Sequence, residues 1–138
     1  MKKSLIGLAS IALIALAPIA AHAGTSYSAV SMTFTSSPDP TDTTTQIKAS
    51  TGVAANLATS TIGQSNWQLS VRFHDVVRNT YGQAISHQFG SSSKIPGSTS
   101  AGVTSSGTAV SLELSLVKVI PGNPASLPVT IAGLWRSN

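Results

Sequence analysis

The chain has no cysteine. That excludes disulfide staples, cysteine nucleophiles, iron–sulfur clusters and thiolate zinc sites. Stability must then come from a core, a ligand or assembly with other chains. Charge is scarce too: Asp, Glu, Lys and Arg make up 9% of the residues. They are scattered, with no basic patch carrying interleaved aromatics, so no nucleic-acid partner is expected. The acids are Asp39, Asp42, Asp75 and Glu113 alone. General acid–base catalysis needs paired titratable groups. Asp39 and Asp42 fall in a Pro-rich stretch and read as turn residues, while Glu113 falls on the outward parity of a strand. A two-carboxylate site would need Asp75 and Glu113, and nothing in the spacing brings them together.

Histidine is as sparse. Beyond His22 there are His74 and His87, without the H-x-H or H-E-x-x-H spacing of a metal site. His74 takes the polar face of its strand, so a solvent-facing or satisfied histidine is expected there rather than a metal ligand. Serine is abundant, but no G-x-S-x-G elbow supports a nucleophile. No glycine-rich loop is built to cradle phosphate. The reading is therefore that of a non-enzyme, with no catalytic, cofactor-binding or metal-binding residues and no cofactor. Tyr81, in a turn, is the best candidate for an exposed contact such as stacking on a sugar, with a packing role as the other reading.

Long apolar runs are also missing, apart from one. After Met1-Lys2-Lys3, residues 5–17 form an apolar stretch ended by Pro18, followed by Ala21-His22-Ala23. About 20 residues are needed to span a bilayer. The pattern is that of a secretory signal cleaved between Ala23 and Gly24. The expectation is export, with 115 residues left as one domain and a charge balance of +2.

What the mature part does have is alternation. Thr25 to Ser36 places Val30, Met32 and Phe34 on one face and Ser31, Thr33 and Thr35 on the other, the signature of a half-buried strand. Ser37-Pro38-Asp39-Pro40 then interrupts any ladder. Residues 43–50 read as a weak strand with Ile47 and Ala49 inward and Gln46 and Lys48 outward. Residues 53–63 read as strand and loop, with Val53, Ala55 and Leu57 on one side, or as a short helical turn; the β-branched and small residues favour the first. Residues 67–77 are the strongest strand, with Trp67, Leu69, Val71 and Phe73 inward. Asn79 to Gly82 reads as a turn and 83–89 as a returning strand, hence a hairpin. Residues 90–107 read as a long loop with one short edge strand near 101–104. In 108–120, Val110, Leu112, Leu114 and Leu116 share a face before the parity shifts; a bulge near Leu116 or burial on both faces explains that. Pro121 to Pro124 is a turn, and 127–135 is a closing strand. Many short strands, strong turns and no convincing helix predict an all-β sandwich, Greek key and immunoglobulin-like.

The order of elements resembles the chaperone–usher pilus subunits. An exported, cysteine-free β domain opens on an alternating strand, passes through a linker into Asp42-Thr43-Thr44-Thr45-Gln46-Ile47, and closes on a strand ending at Trp135. Within that group the pattern is nearest to the major fimbrillin of the enterobacterial common pilus. The resemblance covers both ends of the mature chain and matches the middle in rhythm alone. The chain lacks the disulfide cysteines and penultimate tyrosine of type 1 pilins. The resemblance implies an incomplete sandwich completed by donor-strand exchange, a form of β-augmentation. It divides the chain into a signal (1–23), a donor strand (24–36), a linker (37–42) and a pilin domain (43–138). The donor residues would be Tyr27, Ala29 or Val30, Met32 and Phe34, the register left open because Tyr27 and Val30 differ in parity. The linker would keep the strand out of its own groove. Implied partners are copies of the chain in a fibre, a periplasmic chaperone, an outer-membrane usher, and a host receptor or surface. The implied role is adhesion or biofilm formation at the cell surface. The competing expectation is a self-contained secreted sandwich that binds a ligand such as carbohydrate.

Overall fold

A computed structural model describes residues 24–60, 66–119 and 126–138. The expected signal segment and the Pro121–Pro124 turn lie outside them. The described residues hold strands and no helix. The strands are β1 (Ser28–Phe34), β2 (Thr41–Asp42), β3 (Gln46–Ile47), β4 (Ala55–Thr59), β5 (Trp67–Asp75), β6 (Thr80–Tyr81), β7 (Ile85–His87), β8 (Ser92–Ile95), β9 (Ser98–Thr99), β10 (Gly102–Val103), β11 (Ala109–Lys118) and β12 (Val129–Arg136).

They form two antiparallel sheets and a small hairpin. One sheet runs β1-β12-β4-β8; the other has β11 and β5 at its centre, flanked by β2 and β3 on one side and β6 and β7 on the other. β9 and β10 pair with each other. Alternation builds the core. Trp67, Leu69, Val71 and Phe73 of β5 and Val110, Leu112, Leu114 and Leu116 of β11 are buried against Val129, Ile131 and Trp135 of β12, Ala55 and Leu57 of β4, and Val30 and Phe34 of β1. Both sheets bury one face in a single cluster, as a sandwich requires.

Four places depart from the expected pattern. β11 pairs with β5 in unbroken register from Val110↔Asp75 to Lys118↔Trp67, so the expected bulge at Leu116 is absent. The bulge is on the partner side. β2 meets β11 at Glu113↔Asp42, whereas β3 meets it at Val110↔Gln46. Four steps on one strand thus oppose three on the other, which places an extra residue within Thr43–Thr45 and inverts the parity beyond it. Gln46 and Lys48 are consequently buried and Ile47 only half-buried, the reverse of the expectation. The same offset separates the pairing of β6 from that of β7 with β5. The return strand therefore starts at Thr80, not Gln83, and breaks around Gly82, where a Cβ would come 2.5 Å from the Ser98 carbonyl.

Within the expected 90–107 loop, β8 pairs with β4 over four residues, and Ile95 is fully buried. One inward apolar residue among serines was too little to show as alternation.

Candidate functional site

β1 is the element on which a function can be argued. It pairs with β12 over its whole length, from Ser28↔Trp135 through Met32↔Ile131 to Phe34↔Val129. It stands at the end of its sheet with β12 as its one strand neighbour. Period two is kept: Val30 and Phe34 are buried, Met32 packs on the core, and Ala29, Ser31 and Thr33 are exposed. This settles the parity within the chain. Tyr27 lies outside the core, half exposed, with the Arg136 guanidinium 4.8 Å from its ring centre.

The expectation that the linker keeps β1 away from its own sheet is corrected by this pairing. Six residues, 35–40, separate β1 from β2. Extended, they reach roughly 20 Å, ample for the ~10 Å between packed sheets. Ser37 Oγ donates to the Leu116 carbonyl at 2.7 Å and fastens the crossing.

Along the other edge of β1 runs an open groove of about 390 Å³, lined by Ala29–Met32 on one side and Thr41–Thr44 on the other. Its far wall is held by a polar cluster. His74 Nδ1 lies 2.9 Å from Asp42 Oδ2 and 3.2 Å from Ser111 Oγ; Nε2 lies 3.3 Å from Asn79 Oδ1. His74 is therefore buried and partnered, not solvent-facing, because Asp42 and Ser111 close over it from β2 and β11. A serine–histidine–aspartate relay needs serine and aspartate on opposite ring nitrogens; here both meet Nδ1. Tyr81 stacks on His74 at 4.3 Å, and the Arg72 guanidinium lies 4.1 Å from its centre. Tyr81 is half-buried, and its ring packs against both of these β5 side chains. Arg72 also binds Glu113 at 2.7 Å, and that bond raises the guanidinium pKa. Asp75 is buried at the end of β5 and accepts from the Arg78 amide.

At the start of β1 the slot is polar. Gln46 Nε2 lies 2.9 Å from Ser28 Oγ, 3.1 Å from the Trp135 carbonyl and 3.4 Å from the Ser26 carbonyl. Its Oε1 accepts the Ser137 amide at 2.8 Å. Beside it, Lys48 Nζ donates to the main-chain oxygens of Val53 (2.5 Å), Ser137 (2.8 Å) and Asn138 (3.0 Å). Burial lowers the Lys48 pKa to about 8. His87, fully buried, lies 2.8 Å from both Thr59 Oγ1 and Ser93 Oγ, and burial lowers its pKa.

No family model matches the chain, and no curated protein or solved structure matches it.

The geometry therefore stands alone. Among the described residues no three His, Cys, Asp or Glu side chains are grouped to hold a metal ion. The arrangement is suited to holding a strand: apolar pockets for Val30, Met32 and Phe34, an open edge, and a polar clamp at the entry. Gln46 and Lys48 escaped the sequence reading because the bulge that turns them inward leaves no periodic signal. Asp42 escaped because a turn explained it.

Proposed function

We propose that the chain is a structural subunit of a surface pilus, an immunoglobulin-like Greek-key sandwich that polymerises by giving β1 to a neighbour. The observation that carries this reading is the position of β1. It is the first strand of the described chain, it pairs with one strand only, and it hangs on a linker with two prolines. Such a strand can leave without unthreading anything. In the isolated chain it fills its own slot; in a fibre it would fill the same slot in the next chain. Swapping an identical element costs little, because every interaction given up at home is remade in the neighbour. Head-to-tail donation does not close on itself and yields a filament. Export, a periplasmic chaperone that covers the slot and an outer-membrane usher belong to this reading, as does a role in adhesion or biofilm formation.

A second reading, a self-contained secreted sandwich, is favoured by one observation: β1 is already paired along its full length within the chain. Cysteine chemistry separates the two, since the chain has none of its own. Ala29 and Leu134 face each other across β1 and β12 and are exposed. Directly opposed residues lie within disulfide reach. Chains carrying Ala29→Cys are mixed with chains carrying Leu134→Cys and oxidised. Exchange produces disulfide-linked dimers of the two; a self-contained sandwich produces none.

A further inference from the structure

We infer that Gln46 reads the first strand that enters the slot, so that the polar half of the strand, Gly24-x-Ser26-x-Ser28, is an address as necessary as the apolar half, Val30-x-Met32-x-Phe34. This rests on the exchange reading above and specifies what the slot recognises.

Gln46 is fully buried. Its amide divides its bonds between two strands: Ser28 Oγ and the Ser26 carbonyl belong to the entering segment, the Trp135 carbonyl and Ser137 amide to β12 and the residue after it. The bond to Ser26 is to main chain and would accept any residue. The bond to Ser28 is to a hydroxyl, and is selective. An entering segment with an apolar side chain at that position loses the shortest of these bonds and leaves that amide N–H only the 3.4 Å contact to the Ser26 carbonyl.

Four residues earlier the slot closes. A Cβ on Gly24 would lie 2.6 Å from the Ile47 carbonyl and 2.9 Å from the Ala49 amide, and would collide with Ser137 Oγ. Meanwhile the Asn138 amide donates to the Gly24 carbonyl at 2.8 Å. Glycine is required there by space, not by backbone angle. Six residues after Ser28, Phe34 is sunk in the core. The slot thus fits a segment that turns at a glycine four positions before a small hydroxyl residue and runs extended from that residue to an aromatic six positions after it. A second copy of this chain carries that segment.

The test is a double-substitution cycle in full chains. Donors carry Ala29→Cys with Ser28, Ser28→Ala or Ser28→Thr. Acceptors carry Leu134→Cys with Gln46 or Gln46→Met, which keeps the side-chain length. With Gln46 acceptors, Ser28→Ala should reduce cross-linked dimer about tenfold, the effect of one lost hydrogen bond, while Ser28→Thr keeps the yield. With Gln46→Met acceptors, Ser28 and Ser28→Ala donors should cross-link equally. An equal Ser28→Ala loss on both acceptors, or no loss on either, overturns the inference. If Gln46→Met fails to fold, the Ala-versus-Thr contrast on Gln46 acceptors decides. If the parent pair gives no interchain dimer, the exchange reading fails separately. The same four combinations are then compared as single chains by urea unfolding, where additive midpoint shifts for Ser28→Ala and Gln46→Met refute the role of Gln46 and non-additive shifts support it.

Discussion

Two buried bases show how single residues set the chemistry of the interior. Lys48 carries an ammonium into the sandwich with main-chain oxygens as its partners. Burial favours its neutral form, which is why its pKa falls from 10.5 to about 8. Between those values the unfolded chain binds more protons than the folded one, so stability rises as pH climbs from about 8 towards 10.5. Urea midpoints of the parent should increase over that window, and Lys48→Met should remove the increase. His87 acts in the opposite part of the scale. Thr59 and Ser93 suit a neutral ring, and burial puts its folded pKa below 6.5. The unfolded chain takes up the proton first on acidification, so stability drops as pH falls below about 6.5. His87→Gln, which does not titrate, should flatten the midpoint between about pH 7.5 and 5.5; an unchanged slope would show that another group governs it.

At the level of elements, β1 offers a direct test of side-chain parity. Met32 packs against the core and Thr33, one residue on, is exposed and paired hydroxyl to hydroxyl with Thr130 at 2.9 Å. Met32→Asp pushes a carboxylate against apolar neighbours and should destabilise the chain by about 1–3 kcal/mol or more. Thr33→Asp should stay within about 0.5 kcal/mol, as surface changes do. Urea denaturation compares them, and similar losses would refute the burial assigned to β1. β1, β5, β11 and β12 were legible because five or more residues alternate without interruption, and alternation reports burial directly. β3 was misread by one residue because the bulge before it belongs to the pairing with β11, not to any local property of Thr43–Thr45. Parity left His74 open between solvent-facing and satisfied for a related cause: it points outward, yet β2 and β11 bring Asp42 and Ser111 over it and satisfy it. Gly133 shares the parity of Val129, Ile131 and Trp135, but the reason for its being glycine, a clash of any Cβ with the Ala58 carbonyl, exists only once β4 is alongside.

For the molecule as a whole, alternation can say which face of a strand is buried and cannot say in whose core. Ala29↔Leu134 is the same pair whether β1 and β12 belong to one chain or two. The cross-link that reports exchange can therefore also forbid it. A chain carrying both Ala29→Cys and Leu134→Cys, oxidised while dilute, ties its own β1 into its own slot. Closing the loop between them also constrains the unfolded chain, so this form should be the more stable to urea by roughly 2–4 kcal/mol. If subunits join by passing β1 along, the oxidised chain should remain monomeric on concentration, as seen by sedimentation and electron microscopy. The same chain after reduction should assemble like the parent. Assembly that proceeds equally in both states would mean that subunits join through some other surface, with β1 serving only its own fold. Parent chains that stay monomeric at every concentration would leave the self-contained sandwich as the better account.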